Sequence, residues 1–344
     1  MDKAVRFEYP DVIPMRFGVS GACWQQYDQA ALQDLMEAHT LLFPDFERST
    51  EPITPSFAPW RIAGQPFTDS WGCVWDTSMD GITGTVVDRP LNDWEHFKNY
   101  RPPSPENQAG WDSVDWDEVA QQLDEAESAG RTRAGGLRHG HTFMTLMYLR
   151  GYENLIFDMA DEEPRLWDLI EMVEAFNAGL VKRFINLGIE WMHYPEDLGM
   201  QQGPMVSPEY FRKFIKPIYQ RLIQPAKDAG CIIHMHSDGD IRELIPDLLE
   251  CGVEALNLQD LVNGIDWIAA NLKGRIAIDL DVDRQEITRF GTPQQIDDLI
   301  REEVQTLGSR QGGLMLTHGL YPGPSLENIE ALMDAMEKYA VVFS

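Results

Sequence analysis

The sequence predicts an α/β protein: a single (β/α)8 TIM-type barrel whose N-terminal region, about 130 residues, is elaborated. Three observations lead there. The chain has 344 residues, a length that suits one such barrel as well as two ordinary domains. From about residue 190 onward, short apolar runs alternate with amphipathic runs in five strand–loop–helix units, as expected of a parallel sheet covered by helices. Polar residues gather just after those apolar runs, where the loops of a parallel barrel converge on one mouth. An open doubly wound sheet is the competing architecture.

Residues 26–42 carry a helical pattern, 52–66 are rich in proline, 67–75 are aromatic, and 101–112 hold three prolines and read as a loop. Residues 133–137, followed by helical stretches at 142–150 and 161–187, form an earlier unit of the same sheet. The run 189–194 precedes a helix whose start is marked by Ser207, Pro208 and Glu209, a capping residue followed by proline at the first helical position. The strand-like runs 231–236, 253–258, 275–280 and 313–317 precede helical patterns at 241–250, 261–272, 292–307 and 326–340. No repeat and no long linker interrupts the series, so the whole chain, 1–344, reads as one domain.

Charge and composition exclude several classes of partner. With 28 Lys plus Arg against 56 Asp plus Glu, the formal net charge is -28, which repels nucleic-acid phosphates and anionic membrane surfaces. No apolar run approaches the ~20 residues of a spanning helix, and the N-terminus MDKAVRFEYPDVIPMRF lacks a signal-peptide core, so a cytoplasmic location is expected. The four cysteines, Cys23, Cys73, Cys231 and Cys251, show no CxxC spacing and read as buried small hydrophobes.

Tyr194, Glu196 and Asp197 follow one strand; His234, His236 and Asp238 end the next; Asn257, Gln259 and Asp260 follow the third; Asp279, Asp281 and Asp283 the fourth; His318 ends the fifth. In HMHSDGD, strand periodicity puts His234, His236 and Asp238 on one side, so two imidazoles and a carboxylate are able to chelate a cation. Against this, His234 alone reads first as a hydrogen-bonded core histidine, and Asp238 as a cap of the following helix. Glu196 and Asp197 are candidates for general acid–base work or a fourth ligand, or else solvated loop carboxylates. His139 and His141, with Arg138, precede a helix and either line the mouth or, as the first reading, are hydrogen-bonded residues of a helix-entry loop. Trp60, Phe67, Trp71, Trp75 and Tyr321 either wall a pocket for a planar ring or pack an N-terminal cap. A metal hydrolase of the amidohydrolase kind and a non-catalytic binding protein are more distant readings.

The stretches DLGMQQGPMVSPEYFRKFIKPIY, HSDGDIRELIPDLLECGVEALNLQ and GGLMLTHGLYPGPSLENI, with weaker support from FTDSWGCVW and DRPLNDWEHFKNYRPP, resemble the uroporphyrinogen decarboxylase superfamily. That superfamily includes decarboxylases and cobalamin-linked methyltransferases, such as methylcobalamin:coenzyme M methyltransferase, and the resemblance implies a (β/α)8 barrel. In the methyltransferase branch a zinc is held by the His and Cys of an H-x-C-G segment and a later Cys. On that pattern His236 matches the His, while Asp238 and His318 stand where the two thiolates would be, which implies a divalent metal, zinc, on His236, Asp238 and His318. The decarboxylase branch matches His318 in THGLYPGPSLEN and places Asp69 of FTDSWG on that branch's essential Asp. Its arginine-bearing R-Q-A-G-R segment has no counterpart, and the Tyr of its T-L-x-x-Y segment falls one place from Tyr148. The resulting expectation is a metal-dependent methyltransferase that moves a methyl group from a small O-methyl donor to a corrinoid held by a partner protein, with porphyrinogen or other carboxylate decarboxylation as the alternative. His234, Trp71, Tyr194, Gln259 and Tyr321 are the expected substrate contacts, and Glu196, Asp197 and Asp69 the expected catalytic groups.

Overall fold

A computed structural model describes residues 1–343. Its packing divides the chain into two compact units: Met1–Ile62 with Met79–Ile82 and Leu256–Ser344, and Ala63–Ser78 with Thr83–Ala255. Seven parallel strands carry the architecture: β1 (Met15–Val19), β2 (Ala134–Gly136), β3 (Trp191–Pro195), β4 (Ile232–Ser237), β5 (Ala255–Gln259), β6 (Ala277–Asp281) and β7 (Leu314–Leu320).

In the first unit the hydrogen-bonded order is β1-β7-β6-β5. Phe17 of β1 pairs with His318 of β7, and Asp279 of β6 with Met315 of β7. Alternation along these strands sends Met15, Phe17, Leu316 and His318 one way and Arg16 and Thr317 the other. The second set makes a polar layer, in which Arg16 and Thr317 both bond the fully buried Asp279, Thr317 Oγ1 donating to Oδ1 at 2.8 Å. Leu326–Ala340 packs against β1 and against Pro293–Leu307, which opens with a capping box between Thr292 and Gln295. The single helix expected over 261–272 is two, Asp260–Asn263 and Ile265–Asn271, because Gly264 at φ 79° turns the chain out of the right-handed helical region.

In the second unit the order is β4-β3-β2, with His193 of β3 paired to His234 of β4 and to Gly136 of β2. The two glycines of β2 have steric reasons. A Cβ on Gly135 would lie 2.4 Å from Phe184, and one on Gly136 would lie 2.8 Å from the Cβ of His193. The long helix Pro164–Asn186 buries Leu166, Leu169, Ile170, Val173, Phe176, Leu180 and Val181 at helical spacing, each worth roughly 1.5–3 kcal/mol when fully removed from water. It packs against Lys216–Asp228. The aromatic segment near residue 70 is a small antiparallel sheet, Phe67–Thr68, Val74–Asp76 and Thr85–Asp88. Among the described residues, no helix is long and apolar enough to cross a membrane.

Candidate functional site

Three neighbouring strands of the second unit bring imidazoles and carboxylates together at their carboxyl ends. His139 follows β2, Asp197 follows β3, and His236 is the next-to-last residue of β4. Backbone bonds fix the spacing: Gly140 N–H donates to the Pro195 carbonyl and Glu196 N–H to that of His236, both at 2.9 Å. Nε2 of His139 lies 3.1 Å, and Nε2 of His236 3.6 Å, from the same Oδ1 of Asp197. Asp238 stands with its carboxylate 3.7 Å from His236 Nε2, and its backbone N–H donates to Asp197 Oδ1 at 3.2 Å. Burial by itself would raise Asp197, but the imidazoles of His139 and His236 reverse this and hold its carboxyl far below the usual carboxylate range. Asp197 is therefore ionised. Deeper along the same face, His193 and His234 share a hydrogen bond between their Nδ1 atoms at 3.0 Å, and His234 is 6% exposed.

The other expected residues fall into different surroundings. Glu196 is completely buried, and its two oxygens accept from the N–H groups of Thr142, Phe143 and Met144 and from the Tyr219 hydroxyl. It closes the start of helix Phe143–Arg150, whose own capping position makes no side-chain bond, so it faces no substrate. Tyr194, expected as a substrate contact, alternates away from His193, and its hydroxyl donates to the Leu222 carbonyl of the covering helix at 2.9 Å. Trp71 is likewise buried, edge-on to Phe176 of the long helix. β alternation turns Tyr194 toward the covering helix, and Trp71, in the turn between Phe67–Thr68 and Val74–Asp76, packs on the long helix.

Asp69 is buried in a cage of donors: the N–H groups of Trp71 and Cys73, Trp75 Nε1 at 2.9 Å and Arg138 at 3.0 Å. The Arg138 guanidinium lies 4.5 Å from the centre of the Trp111 ring. In the first unit, His318 is 2% exposed with its ring 5.2 Å from that of Phe17, and its Nδ1 has no hydrogen-bond partner among the described residues. Burial lowers it to about 4, so it is neutral at physiological pH. Tyr321 is 45% exposed and, with Gly18, Ser20 and Gly319, lines a cavity of about 340 Å³. Gln259 ends β5, half-buried.

Sequence reasoning set His139 aside as a loop residue and passed over His193. The signal for both was available: each aligns with a strand end or with a strand face already carrying His234 and His236.

The uroporphyrinogen decarboxylase family model matches residues 71–339, most of the chain. The chain belongs to the uroporphyrinogen decarboxylase family. Within that family it is similar to the uroporphyrinogen decarboxylases of Danio rerio, 23% identical over 146 residues, and of Homo sapiens, 24% identical over 147. These matches cover 40% and 39% of this chain and only 37% and 38% of those relatives' length. Among solved structures, a methyltransferase from Methanosarcina mazei matches 98% of this chain and 96% of its own at a TM-score of 0.62 and 14% identity, which shows the shared α/β barrel fold.

Proposed function

We propose that this member of the uroporphyrinogen decarboxylase family is a methyltransferase that moves a methyl group from a small O-methyl donor to a corrinoid held by a partner protein, with a divalent metal, zinc, anchored by His236. The observation that carries this reading is the donor set around His236 Nε2: carboxylate oxygens of Asp197 and Asp238 lie 3.6 and 3.7 Å away, Asp238 at the position where the methyltransferase pattern would supply a thiolate. Imidazole nitrogen and carboxylate oxygen fit a divalent ion, and they leave it more electrophilic and better matched to oxygen than two thiolates would. When bound, the ion supplies Lewis acidity that lets the departing oxygen keep the C–O electron pair, and the partner's cobalt(I) supplies the pair for the new carbon–cobalt bond. The chain's own residues position this chemistry. The Asp238 N–H and His139 orient Asp197. The His193–His234 bond fixes the face on which His236 stands. In this reading the ionised Asp197 serves as an anionic acceptor, the fourth-ligand role among those expected of it.

The decarboxylase reading has one observation in its favour, the ordered Asp69–Arg138 pair at the position of that branch's essential Asp. Arg138 Nε and Nη2 are left without a hydrogen-bond partner among the described residues, but a net charge of -28 opposes a polyanionic porphyrinogen. The test follows cobalt(I) absorption as methylcobalamin forms across O-methyl, S-methyl and N-methyl donors, beside an anaerobic incubation with uroporphyrinogen. Methyl transfer from O-methyl donors, reduced in Asp238→Cys, is the expected result. Stepwise loss of carboxyl groups from the porphyrinogen, or preference for thioethers, overturns the reading.

A further inference from the structure

We infer that the carboxyl ends of β1 and β7 form a subsite for a single aromatic ring bearing a carboxylate, laid against the paired backbone of Gly18 and Gly319. The inference rests on the function proposed above in one respect: the O-methyl donor is then a methoxylated aromatic acid.

Two glycines that the chain itself does not require carry it. Gly18 of β1 and Gly319 of β7 are register partners, on the side of the strands that also carries Arg16 and Thr317. Neither has a left-handed backbone. A Cβ on Gly18 would meet its nearest atom at 4.0 Å and one on Gly319 at 3.5 Å, both ordinary van der Waals distances. Glycine weakens a strand, and where neither conformation nor packing calls for it, what remains is close approach of another molecule to the backbone. Two other glycines of the same cavity show the contrast. A Cβ on Gly21 or Gly81 would lie 2.9 or 2.8 Å from the Phe57 ring, so those glycines are explained by the seating of Phe57.

The cavity that Gly18 and Gly319 line has a volume of about 340 Å³, near the lower end of the ~300–1,000 Å³ of small-molecule sites, and suits one substituted ring. All its lining residues belong to the first compact unit. Phe57 and Tyr321 supply aromatic walls, against which a ring packs edge-on or offset. Tyr321 is held beside the glycine strip: its Cε2 is the atom nearest the missing Cβ of Gly319, and the Arg284 guanidinium, bonded to Asp281 at 2.6 Å, stands 6.0 Å from its ring centre. Two residues earlier on each strand, Arg16 and Thr317 bond Asp279 and close the floor. Among the described residues lining the cavity the charged side chain is Arg61, and Ser20 and Ser56 add hydroxyls. A guanidinium with hydroxyl donors recognises a carboxylate, which selects an acid over a neutral ring.

The experiment is calorimetric titration of the full chain with para-methoxybenzoate, its neutral amide para-methoxybenzamide, and methoxyacetate, an acid without a ring. We expect the benzoate to bind at least about tenfold more tightly than either of the others. The double variant Gly18→Ala/Gly319→Ala should weaken benzoate binding at least about tenfold while its melting temperature stays unchanged or rises, because alanine fits both strand positions and fills only the ligand's space. Arg61→Gln, at an exposed residue, should abolish the preference for benzoate over the amide. No binding of the benzoate, equal binding of methoxyacetate, or wild-type affinity in the double-alanine variant overturns the subsite. Benzoate binding that the double variant loses, in a protein that transfers no methyl group to cobalt(I) cobalamin, would leave the subsite standing and remove the methyltransferase reading. Methyl transfer from methoxyacetate alone would do the reverse.

Discussion

The Tyr219 hydroxyl donates to Oε2 of Glu196 at 2.7 Å, and the same carboxylate takes the first N–H groups of helix Phe143–Arg150. An acidic side chain from the end of one strand thus does for a neighbouring helix what that helix's own Thr142 does not. Burial raises the Glu196 pKa, opposed by those bonds to Met144, Tyr219 and Phe143. Glu196→Ala orphans three buried N–H groups and one hydroxyl at once, and we expect a loss of about 3–5 kcal/mol, against about 1–3 kcal/mol for Tyr219→Phe. Urea unfolding checks both. A catalytic Glu196 would instead lower turnover at unchanged stability.

The Asp69–Arg138 pair is a second buried arrangement, with both side chains at or below 5% exposure. Removing one charge leaves the other dry and unpaired, so Arg138→Met should cost about 3–5 kcal/mol. Asp69→Asn in that background should cost less than it does alone, because the charge it removes no longer has a partner. A double-mutant cycle measures the coupling, and strict additivity would show the pair to be energetically independent.

Much of this was legible in the sequence. The pattern predicts a helix over 326–340 and the structure has Leu326–Ala340; the strand runs 231–236 and 275–280 lie within two residues of β4 and β6. What escaped was governed by contacts between distant segments. β1 hides because Arg16 and Gly18 break its apolar run, and only Asp279 and Thr317 explain that arginine. Helix Trp116–Ser128 carries little apolar periodicity, with Leu123 its one buried residue. At the site, HMHSDGD announced His236 and Asp238, whereas His139 acquires meaning only when β2 and β3 pair and set it beside Asp197. Glu196 and Tyr194 sit at strand ends as the barrel logic requires, yet their environment depends on helices that sequence position does not reveal.

Glu303 provides a pH prediction. It is completely buried in helix Pro293–Leu307, and burial first, then the charge of Asp260, raise it well above the ordinary carboxyl value. The sign follows from proton binding. Above the ordinary glutamate range, about pH 4.3, the folded state holds a proton that the unfolded state has released, so this group's contribution is fully present below that pH and is lost as pH rises through the folded pKa. Each pH unit in that window removes up to about 1.4 kcal/mol. Glu303→Gln needs no such proton, so the variant should gain stability relative to wild type between pH 5 and pH 8 in denaturant titrations. An unchanged difference across that range would show that Glu303 is accommodated as an anion.

The turn that carries Asp238 rests on backbone packed directly against backbone. Gly239 is at φ 83°, and a Cβ there would lie 2.2 Å from the carbonyl carbon of Gly199; a Cβ on Gly199 would lie 2.5 Å from that of Gly239. Asp240 N–H also donates to the Met200 carbonyl at 2.7 Å, tying the turn to the short hairpin of Gly199–Met200 and Gly203–Pro204. An alanine at 239 meets both a left-handed conformation, costing about 1–3 kcal/mol, and a clash that no side-chain rotation relieves. Because Asp197 lies two residues before Gly199 and accepts from the Asp238 N–H, displacement of the turn moves two of the proposed donors together. Gly239→Ala should therefore lower thermal stability and weaken cobalt(II) binding by at least about tenfold in the folded protein, whereas Gly230→Ala, at a left-handed glycine with no atom near its Cβ, should lower stability alone. Equal metal binding in the two variants would separate the turn from the site.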